Sequence, residues 1–523
     1  MILITSAAYV VPEIRNELGF IPPCFLPIGN RRLLELQVET IRTYFKDRIV
    51  VSLPESYLLS KSDEKLLRAL DLDLIEVPDV FNLSESVSYA LKMLDHNDLT
   101  IRILHGDTLI FDLPKELDII CVGNPSGDYD WEIESASMSE DVNEMVWSGF
   151  FTFSNKHELI KAFSRSGSNF VKAVRSYGKL NAVNPKVCYE WLDFGHVNSY
   201  FFSRSKITTQ RSFNNLVIEN CVVYKSGGNI SKIQAEEYWY RNVPPAIKKY
   251  APQLLDSGIA DDKSHFYSME YLPFLPLNEL FVYGRNSLRF WNRQFTLLNS
   301  FFEESRLTLT FSSAEIDEVS LAAHILYGDK TIKRLNKFIK TSWRSLGTIM
   351  CSHGGVDFSL LDIRNDCISR AKARPITASI IHGDLCFSNI LYDSRLDRIK
   401  IIDPRGLSGV GQKSIYGDQK YDLAKLVHSV IGLYDFIISG QYSFYTDQDG
   451  FEAVRFDIDD HIISIQELFL SKILNDKITF QNIMAIVVLL FLSMLPLHAD
   501  NTSRQNAMLL NAVRLYKKYL LID

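Results

Sequence analysis

No stretch of this 523-residue chain gathers the basic residues, and 56 Lys+Arg stand against 63 Asp+Glu for a formal net charge of −7. The absence of a cationic block argues against a nucleic-acid backbone as partner. The seven cysteines, Cys24, Cys121, Cys188, Cys221, Cys351, Cys367 and Cys386, are odd in number and scattered, without CxxC spacing or a histidine cluster. That pattern excludes a disulfide framework and a structural zinc site, and it fits a reducing cytoplasm. Long apolar runs are also missing. The longest, Ile483 to Leu497, is about 15 residues with Ser493 and Pro496 inside it, short of the roughly 20 that a bilayer demands, so it reads as a core helix. The opening MILITSAAYVV lacks a basic flank and is expected to be a first buried strand rather than a secretion signal. No internal repeat, low-complexity segment or Pro/Gly/Ser-rich linker is present.

What the chain does have is apolar content: 46% hydrophobic and 12% aromatic residues make more core than one compact domain usually holds, and two or three domains are expected. Up to about residue 205, short apolar runs (ILIT, RIVVSLP, TIRILHGD) alternate with helical patterns (RRLLELQVETIRTYF, ESVSYALKMLD). That alternation predicts a parallel sheet with crossover helices. Beyond 205 two consecutive strand-like runs, NNLVI and CVVYKS, join at Glu219-Asn220 as an antiparallel ribbon. After FYSMEYLPFLPL (266 to 277) helical periodicity dominates, broken by the pair NILY and IKIID around the turn DSRLDR. The expected organisation is an α/β domain over residues 1–205 and an α+β domain over 206–523, the latter with a small N-lobe (206–272) and a largely helical C-lobe (273–523).

His382-Gly383-Asp384-Leu385-Cys386-Phe387-Ser388-Asn389 is followed by Asp403 at the end of the strand KIID, placing two carboxylates and an amide on adjacent loops of one hairpin. Phosphoryl transfer needs that set: a carboxylate to orient the attacking hydroxyl and accept its proton, and an amide oxygen plus a second carboxylate for a divalent cation on nucleotide phosphates. A His-Gly-Asp turn alone is ordinary turn chemistry; the joint spacing is what points to a site. These residues resemble the aminoglycoside phosphotransferase and choline kinase branch of the kinase superfamily. The resemblance implies that Asp384 is the base, that Asn389 and Asp403 are Mg²⁺ ligands, and that ATP is the phosphoryl donor. It further implies that Lys225 contacts the nucleotide phosphates with Glu236 (or Glu237) as its ion-pair partner, and that Met269-Glu270-Tyr271-Leu272 links the lobes, with Glu270 and Tyr271 presenting their backbone to the adenine. Ser212-Phe213-Asn214-Asn215, at the place of the phosphate loop, has no glycine. Asp418 and Asp422, in the first turns of the next helix, are either helix caps or functional, with Asp422 supporting the catalytic loop and Asp418 facing the acceptor. Arg405 is placed to contact phosphate or an anionic substrate. Rings around Tyr434-Asp435-Phe436 are either core packing or a cage for a quaternary ammonium.

In the first half, Pro22-Pro23-Cys24-Phe25-Leu26-Pro27-Ile28-Gly29-Asn30-Arg31-Arg32, Gly106-Asp107-Thr108 and Trp191-Leu192-Asp193-Phe194-Gly195-His196 together resemble sugar-1-phosphate nucleotidyltransferases over residues 1–204. The resemblance implies that Asp107 and Asp193 bind Mg²⁺ on a second nucleoside triphosphate, CTP among the candidates, with Asp107 also catalytic. A metal between two carboxylates offsets the repulsion when one phosphate attacks another. The glycine-rich loop of that family is replaced by Ser6-Ala7-Ala8-Tyr9, and its Pro-Lys pair by Pro22-Pro23; Arg15, Arg31 or Arg32 are the candidates for the missing cation.

The combined expectation is a cytoplasmic fusion resembling bacterial capsule biosynthesis enzymes: a kinase for a sugar or amino-alcohol, and a nucleotidyltransferase that activates the phosphorylated product for capsule or surface polysaccharide. Partners are then small molecules and nucleotides, with no nucleic acid and no membrane span; the oligomeric state is open. The alternatives are a kinase with an inactive, substrate-binding nucleotidyltransferase-like domain, and a non-catalytic nucleotide-binding scaffold.

Overall fold

The structure is a computed structural model that describes residues 1–94, 99–125, 127, 129, 132–134, 145–208, 210–211, 214–260, 263–307, 311–473 and 480–521. Two compact units form: Met1–Thr208 together with Tyr283–Asn286, and Thr209–Val282 together with Ser287–Asp523. The short turn Tyr283–Asn286, expected within the helical lobe, therefore packs with the first unit.

The first unit is built on a mixed sheet. Its strands lie in the order Asn184–Val187, Ile119–Gly123, Met145–Phe153, Ile101–His105, Ile2–Thr5, Ile49–Pro54 and Asp73–Val77, and Ile133–Glu134 pairs beside Met145–Phe153. Ile2–Thr5 runs parallel to both neighbours, with Leu3 opposite Val50 and Ile103; Met145–Phe153 is antiparallel to its neighbours. Alternation along the central strand feeds two cores. Leu3 joins Ile103, Phe151 and the helices Leu83–Met93, Lys156–Ser166 and Phe170–Asn181 on one face. Ile2 and Ile4 join Leu34, Val38 and Ile41 of the helix Leu33–Tyr44 on the other.

A buried ion cluster closes this unit. Asp63 sits at the third position of the helix Lys61–Ala69, where its carboxylate accepts the Ser60 N–H at 2.8 Å as half of a capping box. The same carboxylate pairs with buried Arg32 and with Arg285 at 3.2 Å, and Tyr283 donates its hydroxyl to the Asn30 carbonyl at 2.6 Å. Burial works against the charge on Asp63, but the Arg32 and Arg285 guanidiniums overcome it and hold the carboxyl below its usual range.

In the second unit, a sheet of antiparallel pairs orders Gln210–Arg211, Asn214–Glu219, Val222–Ser226, His265–Glu270 and Leu254–Ile259. The expected ribbon turn is present: Asn220 and Cys221 both adopt positive φ, 49° and 61°, the conformation of a two-residue hairpin loop. The helix Ile230–Asn242 packs on this sheet. The remainder is mostly helical, gathered around Phe480–Met494, which contacts Lys330–Thr341, Leu360–Lys372, Gln419–Val430 and Thr502–Tyr519. Residues Ile483 to Leu492 are all buried, so the long apolar run is a central core helix. No helix among the described residues is long and apolar enough to cross a membrane.

The Asp63 cluster yields a stability prediction. Asp63→Ala leaves two guanidiniums without their shared carboxylate and is expected to destabilise the first unit by about 3–5 kcal/mol, the scale for breaking a buried pair. Because the folded carboxyl is depressed, its contribution is fully present above about pH 4, the unfolded value, and is lost as pH falls through the folded one. Denaturant titrations of wild type and variant across that range check both statements; equal midpoints at neutral pH would show that the cluster is energetically idle.

Candidate active sites

The loop after strand Ala378–Ile380 owes its shape to the helix Gln419–Val430. Asp422 of that helix accepts the backbone N–H groups of His382 and Gly383 at 2.6 and 2.8 Å, and Ser429 accepts the N–H of Phe387 at 3.1 Å. Burial pushes Asp422 up to about 7 against those two hydrogen bonds, and it pulls buried His382 down to about 4, a neutral ring. The loop then turns through Phe387–Asn389 into the hairpin Ile390–Asp393 and Arg398–Ile401.

Around this loop the sequence-predicted residues converge. Asn389 donates its amide to the Asp384 carbonyl at 2.9 Å and reaches its carboxylate at 3.4 Å. Asn389 is tied in turn to the residue before Asp403 by the Ile402 N–H at 2.9 Å. Asp384 meets the Lys425 ammonium at 2.8 Å while its own side chain stays 44% exposed. Burial opposes ionisation of Asp384, yet Lys425 outweighs it and brings the carboxyl down to about 2. Asp403 sits at φ 60°, a left-handed conformation uncommon for a residue with a side chain, and its Oδ1 lies 2.9 Å from Lys225 Nζ. The same ammonium is 2.6 Å from Glu236 Oε2, which also accepts the Tyr267 hydroxyl at 2.8 Å. Burial opposes the charge on Lys225, but Asp403 and Glu236 prevail and raise its pKa. Glu237 faces elsewhere, toward Arg241, Ser257 and His265, so Glu236 is the partner of Lys225.

Several expectations are corrected. Asp418 does not face a ligand: it is buried, caps the helix Gln419–Val430, and accepts from the Tyr327 hydroxyl at 2.8 Å, from the Thr377 N–H at 3.2 Å and from the Lys420 N–H at 3.2 Å. The N–H groups of Glu270 and Tyr271 donate to the carbonyls of Gln253 and Cys221 at 3.0 and 2.9 Å, so the expected backbone contact with adenine would fall to their carbonyl oxygens. Phe436 is buried against Phe281, and Tyr434 packs on His428, which is core packing rather than a cage. Ser212 and Phe213 lie outside the described residues; Asn214 and Asn215 belong to a strand. Arg405 stays at the site, its N–H 2.8 Å from the His382 carbonyl. Lys425, Lys330 and Arg334, which bring basic side chains to this region, had no signature in the linear sequence.

In the first unit, Asp107 follows the strand Ile101–His105 and Asp193 ends Trp191–Asp193, which pairs antiparallel with Thr108–Ile110. Gly195 lies against both carboxylates: a Cβ there would stand 2.8 Å from Asp107 Oδ2 and 3.3 Å from Asp193 Oδ1. Burial first, and then the Asp193 charge, push Asp107 up to about 6. Asp193 accepts the Gly195 N–H at 3.2 Å and the Ser199 hydroxyl, and His196 Nδ1 is 3.6 Å from it. The Tyr129 ring stacks on His196 at 3.9 Å. Arg32 is committed to Asp63, Arg31 pairs with Glu39 at 2.7 Å, and Arg15 lies over Phe20. The cation expected from Arg32 is therefore spent inside the fold.

Among the described residues no three His, Cys, Asp or Glu side chains gather as a metal site. Each centre instead offers two oxygen-bearing side chains, Asp107 with Asp193 and Asn389 with Asp403. That donor set suits Mg²⁺, which commonly takes one or two carboxylates and completes its shell with phosphate oxygens and water. The Asp193 charge, acting on the raised Asp107 carboxyl beside it, is a repulsion that a cation held by both would relieve.

No protein-family model matches the sequence, and no curated protein matches it. Among solved structures, a nucleoside-diphosphate-sugar pyrophosphorylase from Vibrio cholerae is 15% identical over 39% of this chain and 99% of its own, with a TM-score of 0.33. An inositol-1-phosphate CTP transferase from T. maritima is 15% identical over 39% of this chain and 95% of its own (TM-score 0.29). A GDP complex of an aminoglycoside 2'-phosphotransferase is 13% identical over 60% of this chain and 90% of its own (TM-score 0.38). Neighbours of two kinds, sugar nucleotidyltransferases and aminoglycoside phosphotransferases, thus divide the chain between them. Identities and scores this low leave the chemistry to be argued from the residues themselves.

Gly406 tests how tightly the second site is built. Its φ is 59°, and a Cβ there would fall 1.8 Å from the Ala235 carbonyl, one residue before Glu236. Gly406→Ala is expected to cost about 2 kcal/mol or more through strain and overpacking, read as a lowered midpoint for the second unit; an unchanged midpoint would mean that this backbone contact yields freely.

Proposed function

We propose that the chain is a bifunctional enzyme whose second unit uses ATP to phosphorylate a hydroxyl of a small molecule, a sugar or an amino-alcohol, and whose first unit joins the phosphorylated product to a nucleotide. The observation that carries the reading is the continuity of the second site: Lys225 bridges Glu236 and Asp403, and Asp403 follows Ile402, whose N–H binds the carbonyl of Asn389, the residue whose amide holds Asp384. Asp384, kept ionised by Lys425, accepts a hydrogen bond from the acceptor hydroxyl and takes its proton as the oxygen attacks the γ-phosphorus; in a loose transition state such positioning matters more than basicity. Lys225 supplies a fixed charge for the nucleotide phosphates, and Glu236 holds it in place. Asn389 and Asp403 would hold Mg²⁺, which neutralises charge on the phosphates.

In the first unit Asp107 and Asp193 would hold Mg²⁺ for a second nucleoside triphosphate, with CTP among the candidates, and pyrophosphate would leave as the product's phosphate attacks. A nucleotide-activated building block for capsule or surface polysaccharide, made in the cytoplasm, is the end product that fits a kinase feeding a nucleotidyltransferase. The commitment of Arg32 to Asp63 favours a second reading, in which the first unit binds the sugar phosphate or nucleotide without catalysis.

Asp384→Asn is expected to slow phosphorylation by roughly 10²- to 10⁴-fold with Mg·ATP affinity kept, whereas Asp403→Asn should abolish metal-dependent ATP binding. Coupled ADP release and calorimetry measure the two effects, and full turnover in either variant removes the kinase assignment. For the first unit, the phosphorylated product offered with Mg²⁺ and each of CTP, UTP, GTP, ATP and dTTP should release pyrophosphate with one of them. Asp107→Ala and Asp193→Ala should stop that release and leave phosphorylation intact. No pyrophosphate with any nucleotide would establish the binding-only reading.

A further inference from the structure

The second unit gathers four basic side chains near Asp384, Lys425, Lys330, Arg334 and Arg405, and the proposed reaction uses only Lys425. Lys330 opens the helix Lys330–Thr341 and Arg334 follows one turn later on the same face. Lys330, Tyr327, Thr331, Tyr421 and Ser493 line one narrow cleft. Arg334 reaches the Ser493 carbonyl at 3.5 Å, and the Arg405 guanidinium lies over the Tyr421 ring, 5.7 Å from its centroid. Arg405 is fixed beneath the Asp384 loop: a Cβ at Gly383 would stand 2.7 Å from the Arg405 Cβ. Tyr421 precedes Lys425 by one helical turn, and Lys425 meets Asp384 at 2.8 Å.

Lys425 has Asp384 as its counter-ion. Lys330, Arg334 and Arg405 have no ion-pair partner among the described residues. Crowded like charges at half-buried positions oppose one another. Burial first, and then Arg405, Arg334 and Lys425, bring the Lys330 ammonium down to about 6 against the opposing pull of Asp384; burial likewise lowers Arg334 against Tyr421 and Asp384. Such a cluster is costly unless an anion occupies it. In the proposed reaction the nucleotide phosphates have their own cation in Lys225, which comes from a strand of the N-lobe sheet, whereas Lys330 and Arg334 come from a helix of the helical lobe.

We propose that the acceptor carries its own anionic group, a phosphate, sulfate or carboxylate, and that Lys330, Arg334 and Arg405 bind this group while the acceptor hydroxyl meets Asp384. The inference rests on the kinase reading above and narrows it, because an amino-alcohol would bring a further positive charge to a region already crowded with basic side chains. In the reaction the hydroxyl oxygen forms a bond to the γ-phosphorus, the bond from that phosphorus to the β–γ bridging oxygen breaks with its electron pair going to ADP, and the hydroxyl proton passes to Asp384.

The test uses the full-length protein. Sodium sulfate, a tetrahedral anion, is titrated calorimetrically with and without a non-hydrolysable ATP analogue and Mg²⁺. Saturable sulfate binding that persists with the analogue and weakens about tenfold or more in Lys330→Met and in Arg334→Met, but is retained in Arg334→Lys, is the expected result. Neither Met variant strips a carboxylate of its partner, so both should melt close to wild type. In a parallel assay, ADP release is compared for glycerol against glycerol 3-phosphate and glycerate, for glucose against glucose 6-phosphate and glucuronate, and for choline and ethanolamine; the best acceptor should be anionic and about 100-fold faster than its neutral counterpart. The proposal is overturned by sulfate binding indifferent to both Met variants, by displacement of sulfate by the analogue, or by a neutral or cationic acceptor that turns over as well as the anionic ones. Failure of the kinase reading itself looks different: the analogue then does not bind at all, whether or not sulfate does.

Discussion

Moving an ammonium and a carboxylate out of water costs several kcal/mol per ion, and in the second unit that cost is met by geometry, with the partly exposed Asp403 as a second carboxylate. Lys225 Nζ stands between Glu236 and Asp403 at 2.6 and 2.9 Å, with side-chain exposures of 2% for the lysine and 1% for the glutamate. Three separate pieces of chain are thereby brought to one point: a strand of the five-stranded sheet, the helix packed on it, and the end of the Ile390–Ile401 hairpin. Removing the cation would leave two carboxylates facing each other in low dielectric. Asp403 accepts a left-handed backbone at this point, and the strain is tolerated because the ion pair and the Tyr240 hydroxyl, 3.1 Å from the Asp403 N–H, over-determine its position.

The same economy governs the neighbouring loop. Asp422 is spent on two backbone N–H groups and Ser429 on a third, so Gln419–Val430 acts as a rigid template on which the Asp384 turn is laid. From that template Lys425 also reaches the Asp384 carboxylate. Loop shape and loop charge are set by one helix, which is how a half-buried carboxylate can be held both oriented and ionised.

Legibility in the sequence follows the distance over which each feature is specified. The alternation of ILIT, helix and RIVVSLP made the parallel part of the mixed sheet legible because hydrophobic period and crossover length are local, whereas the antiparallel strand Met145–Phe153 was not foreseen; the Asp384-to-Asn389 spacing was legible because one turn contains it. Glu236 and Glu237 were indistinguishable: adjacent positions on a helix differ by about 100° in direction, and only packing decides which faces Lys225. Asp418 was open to two readings because an acidic residue opening a helix looks the same as a cap and as a ligand; burial under Tyr327 decides for the cap. Lys330, Arg334 and Lys425 left no pattern, since they lie 54, 50 and 41 residues from Asp384 along the chain and meet it only through the tertiary packing of helices. Arg32 illustrates the converse: its motif suggested a ligand, and its pairing with Asp63 is a tertiary fact.

The turn Tyr283–Asn286 gives the first unit a debt in time. Asp63 and Arg285 are 222 residues apart in sequence, so a chain emerging vectorially at about 5–20 residues per second exposes Asp63 to its full set of partners only after on the order of ten to forty seconds. During that interval the nascent first unit can form its sheet and both apolar cores, all of which come from residues before 209, but the Asp63 carboxylate has Arg32 as its one guanidinium partner. The last increment of stability in the N-terminal unit is thus delivered by sequence that belongs, by synthesis order, to its neighbour.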